Sequence, residues 1–159
     1  MKRRVDVVTA TPLKASLHEQ SKLVRLIEKG LAGLKDVDRN RIAVAIRNKF
    51  QDSLDLDAAL LTDHQGEHRW DYLLSYQETW VVAVEVHSAN TSEVSVLIQK
   101  KKAAKRQLQA HMRPTGHIAK WIWISSGAVA IPQLDRARTR LAQEGIMLVG
   151  RELAAKHVP

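Results

Sequence analysis

Cysteine is absent from this chain of 159 residues. Disulfide bonds and thiolate metal sites are therefore excluded, and a bound metal ion would need Asp, Glu, His or backbone oxygen ligands. Such ligands favour hard cations, so the absence of cysteine makes hard cations the natural candidates for a bound metal.

Long apolar runs are also absent, since no stretch approaches the ~20 apolar residues that span a bilayer. The chain opens with the basic residues Lys2, Arg3 and Arg4, as a signal peptide does. Asp6, however, interrupts the segment in which the apolar region of a signal peptide must lie. We therefore expect a soluble, cytoplasmic protein without a membrane segment.

The overall composition is that of an ordinary globular protein. Hydrophobic residues make up 45% and charged residues 26% of the chain, which fits one domain of common size. We predict a basic tail over residues 1–12 and a single α/β domain over residues 13–159. The short β-type run Val5–Thr9 is open to two interpretations, an edge strand or a disordered segment.

Acidic residues are missing from residues 94–134, and the whole chain carries a formal net charge of +8. The stretch contains seven basic residues, namely Lys100, Lys101, Lys102, Lys105, Arg106, Arg113 and Lys120. The five from Lys100 to Arg106 lie on one predicted helix. A positive surface of this kind is typical of nucleic-acid-binding proteins, so we expect nucleic acid as a partner. A solvated helix face without a ligand is the alternative interpretation.

Two helices are predicted for the first third of the chain. Apolar residues recur at helical spacing from Leu13 to Leu34, which predicts a helix over about residues 14–31. A second helix is predicted to begin near Asp36 or Asp38 and to continue to about Ser53. Its apolar face consists of Ile42, Ile46, Phe50 and Leu54.

The second half of the chain alternates between strands and helices. Residues 70–76 and 79–87 are rich in aromatic and branched side chains and predict a β-hairpin. The pattern then predicts a helix over about residues 91–110, a strand at 121–124, a helix containing Leu134, Ala137 and Leu141, and a strand at 146–149. Strands that alternate with helices pair in parallel, so we predict an α/β fold with a central mixed β-sheet flanked by helices.

Three ionisable residues occupy the ends of the two hairpin strands. Asp71 lies near the start of the first strand, and Glu85 and His87 close the apolar run of the second. Glu85 and His87 share one face of their strand because side chains alternate. Antiparallel pairing brings Asp71 close to Glu85, where the two carboxylates can bind one divalent cation. The alternative is structural, with Asp71 paired to Arg69 and Glu85 paired to His87.

The order of helix, Asp71 on a strand, Glu85 at the close of the next strand, helix and strand resembles that of the restriction-endonuclease-like, PD-(D/E)xK nuclease superfamily. The resemblance covers roughly residues 13–149. It implies a restriction-endonuclease-like fold and metal-dependent hydrolysis of nucleic-acid phosphodiesters. It further implies that Asp71, Glu85 and the carbonyl of Val86 contact Mg²⁺ or Mn²⁺, and that Asp71, Glu85 and His87 are the catalytic positions.

Two positions depart from the superfamily pattern. Trp70 stands where proline is usual, and His87 stands where lysine is usual. Histidine can accept a proton or hydrogen-bond a phosphate, but it carries no permanent positive charge at neutral pH. A lysine of the following helix, Lys100 or Lys101, is an alternative source of that charge.

Two classes of function follow from these residues. The first is a metal-dependent nuclease, and the resemblance implies that an acid of the first helix, Glu19 or Glu28, completes its metal site. The second is a catalytically inactive module of the same fold that binds nucleic acid or a protein partner, because His87 replaces the expected lysine. A homodimer is compatible with either class.

Overall fold

The computed structural model describes residues 10–159, so the run Val5–Thr9 lies outside the described residues. The strands within these residues are β1 (Glu28–Lys29), β2 (Phe50–Asp55), β3 (Tyr72–Tyr76), β4 (Trp80–His87), β5 (Ile118–Ser125) and β6 (Ile146–Leu148). The α-helices of the same part of the chain are α1 (Pro12–Ser16), α2 (Asp36–Arg39), α3 (Leu56–Leu60), α4 (Val94–Leu108) and α5 (Arg136–Gln143). Thr11 caps α1, and its hydroxyl donates to Asp52 at 2.6 Å.

All six strands form one sheet in the order of the sequence, from β1 to β6. The pairs from β1 to β4 are antiparallel, whereas β4, β5 and β6 pair in parallel. Parallel neighbours need a crossover connection, and α4 and α5 lie within those two connections. The predicted α/β class with a mixed sheet flanked by helices is therefore confirmed.

The predicted hairpin is present as β3 and β4. Tyr76 pairs with Trp80, and the turn between them contains Gln77 in the left-handed region with a φ of 51°. From this turn the register runs back to the pair Tyr72 and Val84. The hairpin register therefore brings Asp71, which precedes Tyr72, close to Glu85, which follows Val84.

The helices of the second half begin close to the predicted positions, and α5, unlike α4, begins with a side-chain cap. A short 3₁₀ turn over Thr91–Glu93 precedes α4. The side chain of Asp135 accepts a hydrogen bond from the Ala137 amide at 2.8 Å and caps α5. Leu134 was predicted inside this helix, but it precedes the cap and is 100% exposed.

The long first helix predicted over residues 14–31 is wrong. The segment contains the short helix α1, a 3₁₀ turn over Lys22–Leu26 and strand β1. The side chain of Ser21 accepts a hydrogen bond from the Leu23 amide at 3.2 Å, so a new turn starts there. Serine competes locally for backbone hydrogen bonds in this way, and helical spacing of apolar residues does not prevent it.

The second predicted helix, to about Ser53, is also wrong. α2 has only four residues, a 3₁₀ turn follows over Val44–Lys49, and the chain then enters β2. Phe50 pairs with Tyr76 and Leu54 with Leu73, so β2 contains one residue more than β3 over this span, at a bulge. A spacing of four residues also fits a strand, in which every second side chain lies on the same face. The bulge changes this alternation and places Phe50 and Leu54 on opposite faces of the sheet.

Two hydrophobic clusters cover the two faces of the sheet. One contains the buried residues of α1, α3, α4 and α5, with Trp70 and Trp123 among its largest members. The other packs Ile42, Ile46 and Leu153 against the opposite face. Within residues 10–159, no helix has the length and apolar character needed to cross a membrane.

Candidate active site

Asp71 and Glu85 meet at the end of the hairpin, as the sequence predicts. Asp71 directly precedes β3, and Glu85 lies near the end of β4. The Asp71 amide donates to Glu85 Oε2 at 2.9 Å, and the Val86 amide donates to Asp71 Oδ2 at 3.0 Å. Each acid therefore accepts a backbone hydrogen bond from the other acid's strand, which fixes both carboxylates beside the sheet.

The two carboxylates lie in an environment that disfavours negative charge. Glu85 has no exposed surface, and its pKa is raised to about 8 by burial and then by the charge of Asp71. Burial also raises the pKa of Asp71, although the hydrogen bond from Val86 opposes this change. Two acids with raised pKa values at one place form a site that a cation would stabilise.

Lys100 supplies one such cation from helix α4. Its Nζ donates to Glu85 Oε1 in a close ion pair, and the lysine side chain is only 18% exposed. Of the two lysines considered as alternatives to His87, Lys100 reaches the acids. Lys101 turns elsewhere and donates to the backbone carbonyl of Glu144.

His87 is held by a residue that the sequence reasoning missed. Its Nε2 lies 2.7 Å from Glu93 Oε2, whereas its Nδ1 lies 4.0 Å from Glu85 Oε1. The nearer partner of His87 is therefore Glu93, and the nearer partner of Glu85 is Lys100. The available signal was that Glu93 is the last acid before the acid-free stretch and stands six residues after His87.

The backbone of Val86 also faces the acids. Its amide donates to Asp71, beyond the last β3–β4 pair, which is formed by Tyr72 and Val84. The amide and the carbonyl of a strand residue point to the same side of the strand. The Val86 carbonyl is therefore also directed toward the corner of the sheet at which Asp71 and Glu85 meet.

The possible metal ligands at this place are two carboxylates and one backbone carbonyl, which are ligand types that Mg²⁺ or Mn²⁺ accepts. Among residues 10–159 there is no group of three or more Asp, Glu or His side chains arranged to hold a metal ion. Mg²⁺ uses one or two carboxylates and takes its other ligands from water and phosphate. Asp71, Glu85 and the Val86 carbonyl would hold such an ion, which would compete with Lys100 for Glu85.

Neither acid named as a first-helix ligand contacts this corner. Glu28 lies on β1, two strands away from β3, because the helix predicted there is absent. The side chain of Glu19 is 84% exposed and lies 4.0 Å from Arg113. Two acids, Asp38 and Asp57, instead raise the pKa of Asp71 through their negative charge.

Both of those acids have partners of their own. Asp38 accepts a hydrogen bond from the Tyr72 hydroxyl at 2.6 Å, and Asp57 accepts one from Arg69 Nε at 2.8 Å. The alternative in which Arg69 pairs with Asp71 is therefore not what the structure contains. Arg69 forms its ion pair with Asp57 instead.

The five basic residues proposed to bind nucleic acid do not form one face of α4. Lys100 points to Glu85, Lys101 bonds to the Glu144 carbonyl, and Arg106 lies 3.5 Å from Glu67. Lys102 and Lys105 are exposed, and neither makes a hydrogen bond or ion pair within residues 10–159. Adjacent helix positions point about 100° apart, so a run of three lysines is necessarily divided among directions.

No protein-family model, curated protein or solved structure matches this chain. The candidate site is therefore defined by its geometry: two acids fixed by each other's backbone, an internal lysine, and a histidine oriented by a glutamate.

Proposed function

We propose that the chain is a restriction-endonuclease-like domain that hydrolyses nucleic-acid phosphodiesters with a bound Mg²⁺ or Mn²⁺ ion. The observation that carries this proposal is the convergence of Asp71, Glu85 and Lys100 at one corner of the sheet. These three residues provide two carboxylates that can ligate a metal ion and a positive charge that can stabilise a phosphate. Lys100 takes the role for which His87 is unsuited, because its charge is permanent at neutral pH.

Each residue has a distinct part in this proposal. A divalent cation on Asp71, Glu85 and the Val86 carbonyl would polarise the phosphodiester and lower the pKa of a bound water. The Lys100 ammonium group would stabilise the negative charge that develops on the phosphate. If His87 Nε2–H donates to Glu93, the free lone pair of Nδ1 can accept a proton from the attacking water.

The test is cleavage of single-stranded and double-stranded DNA and RNA with Mg²⁺, with Mn²⁺ and with a chelator. We expect metal-dependent cleavage by the wild type and a loss of about 100-fold or more in Asp71→Asn and in Lys100→Met. Lys156→Met is the control, since it removes an exposed lysine of the C-terminal turn. Absence of metal-dependent cleavage on every substrate would contradict the proposal, as would equal rates in Asp71→Asn and the wild type.

A second candidate function is nucleic-acid binding without catalysis. It is favoured by the pairing of Lys100 with Glu85, which neutralises the buried acid without any metal. Calorimetric titration with Mn²⁺ separates the two candidates. Heat of binding that Asp71→Asn abolishes supports the nuclease, whereas retained nucleic-acid binding with no Mn²⁺ binding supports the second candidate.

A further inference from the structure

A separate groove opens beside the C-terminal half of α4. It has a volume of about 730 Å³, within the range of roughly 300–1,000 Å³ that is usual for small-molecule sites. Its lining includes Trp121 and Ile118 of β5, and Trp121 pairs with Ala83 of β4. Glu85 lies two residues further along β4, so the groove extends from that level toward the N-terminal ends of the parallel strands.

The groove and the candidate active site share no residue. Lys100 points from α4 toward Glu85, whereas Lys101 and Lys105 line the groove. One helix thus serves the two places from different faces. Ligand binding in the groove can therefore be measured without added metal and without a cleavage reaction.

Positive charge and hydrogen-bond donors surround the groove. Its lining, drawn from residues 10–159, contains no Asp or Glu; it includes the three basic residues Lys101, Lys105 and Arg113 and the histidines His18 and His117. Glu19, which lies outside the lining, approaches Arg113 to 4.0 Å and is 84% exposed, and the negative charge of Glu144 acts on Lys101. Burial lowers the pKa of Lys101, and the charge of Lys105 lowers it further. An anion between these two lysines would relieve their repulsion.

Two of the cations, Arg113 and Lys101, are held in place before any ligand arrives. Arg113 donates from Nε to the Leu17 carbonyl at 2.9 Å, and its amide donates to the Ser16 carbonyl at 2.9 Å. Gly116 packs so closely that a Cβ atom there would lie 2.6 Å from the Ser16 carbonyl oxygen. Lys101 is fixed by the Glu144 carbonyl and lies 5.4 Å from the centre of the Trp121 ring.

The rest of the lining is apolar and suits a ring. It consists mainly of Leu108, Met112, Pro114, Ile118 and Trp121. The thioether of methionine makes favourable contacts with aromatic rings. Several cations around one opening favour a head with more than one negative charge, which a phosphate provides and a single carboxylate does not.

From this combination we propose that the groove is a binding site for a free nucleoside phosphate. The phosphates contact Lys105 and Arg113, and the base lies on the apolar lining beside Met112. The groove therefore adds a small-molecule site to the chain, independent of the phosphodiester chemistry proposed at Glu85.

The test uses ADP as the probe, with the full chain at low salt and no added metal. The chain has three methionines, and Met112 lines the groove while Met147 lies on the edge strand β6. With ¹³C-methyl methionine labelling, we expect ADP to shift the Met112 methyl signal and to leave the Met147 signal in place.

Calorimetry then measures which part of ADP is recognised. We expect Lys105→Ala to weaken ADP binding about five- to tenfold, as the loss of a charge-assisted hydrogen bond does. Lys102→Ala is the matched control because it removes an exposed lysine of the same helix that does not line the groove. Adenosine and pyrophosphate should each bind more weakly than ADP, since each lacks half of the proposed contacts.

Several results would overturn the proposal. A Met112 signal that does not respond to ADP would exclude the groove as the site. Equal affinities in Lys105→Ala and Lys102→Ala, or adenosine binding as tightly as ADP, would exclude recognition of the phosphate. Binding of a short single-stranded oligonucleotide at Met112 without any binding of ADP would assign the groove to a nucleic-acid strand instead.

Discussion

The two faces of helix α4 use the same residue type in opposite ways. On one face Lys100 is largely buried and forms an ion pair with Glu85, which has no exposed surface. On the other face Lys105 is exposed and borders a groove whose lining contains no acid. A count of basic residues treats these lysines as equal, although Lys100 is paired with Glu85 and Lys105 has no ion-pair partner within residues 10–159.

Lys100→Met should produce the largest effect, because it removes the buried lysine that pairs with Glu85. Removing one partner of a buried ion pair leaves the other uncompensated, so we expect the free energy of unfolding to fall by about 2–4 kcal/mol at pH 9. At pH 5, where Glu85 is protonated, the loss should be much smaller. Urea unfolding at the two pH values measures this difference.

Lys102→Met is the control for that experiment, since Lys102 is exposed on the same helix. Its unfolding midpoint should match that of the wild type at both pH values. Equal losses in the two variants, or a loss in Lys100→Met that does not depend on pH, would show that the ion pair is not the cause.

Glu85→Gln tests the acid side of the same pair. The pKa of Glu85 rises from an ordinary 4.5 to about 8 in the folded chain, so the folded state binds this proton more tightly than the unfolded state. Stability from this group is therefore complete below pH 4.5 and is lost as pH rises through about 8.

Glutamine stays neutral, so the variant should be more stable than the wild type at pH 8, by on the order of 1–3 kcal/mol. The two proteins should converge near pH 5. Thermal or urea unfolding across this range gives the measurement, and parallel pH profiles for the two proteins would contradict the raised pKa.

The smallest expected effect concerns nucleic-acid binding and separates free lysines from the paired one. Each phosphate contact contributes about 0.9 to the slope of log K against log salt. Without added metal, Lys100 stays paired with Glu85, so Lys102→Ala should lower the magnitude of that slope by about 1, whereas Lys100→Ala should leave it nearly unchanged. Fluorescence anisotropy between about 50 and 200 mM salt measures both slopes. An equal change in the two variants would mean that Lys100 also contacts phosphate.

The second half of the fold was predictable because its signals are local. The hairpin, α4 and the strands of the parallel sheet follow from alternation, a run of helix formers and turn residues within about ten to twenty positions. The same local reasoning misassigned residues 14–53. There, a spacing of four residues fits a helix and also fits a strand, and the bulge next to Phe50 decides which face each residue takes.

The sequence by itself determined the inventory of this protein: an α/β chain without cysteine, two acids on neighbouring strands, and a basic helix after them. Only the tertiary structure decided which of those groups meet. Asp71 and Glu85 are joined by the hairpin register, but the pairing of Lys100 with Glu85 depends on how α4 packs on the sheet. Such contacts arise from the orientation of whole elements, for which residue spacing along the chain carries no signal.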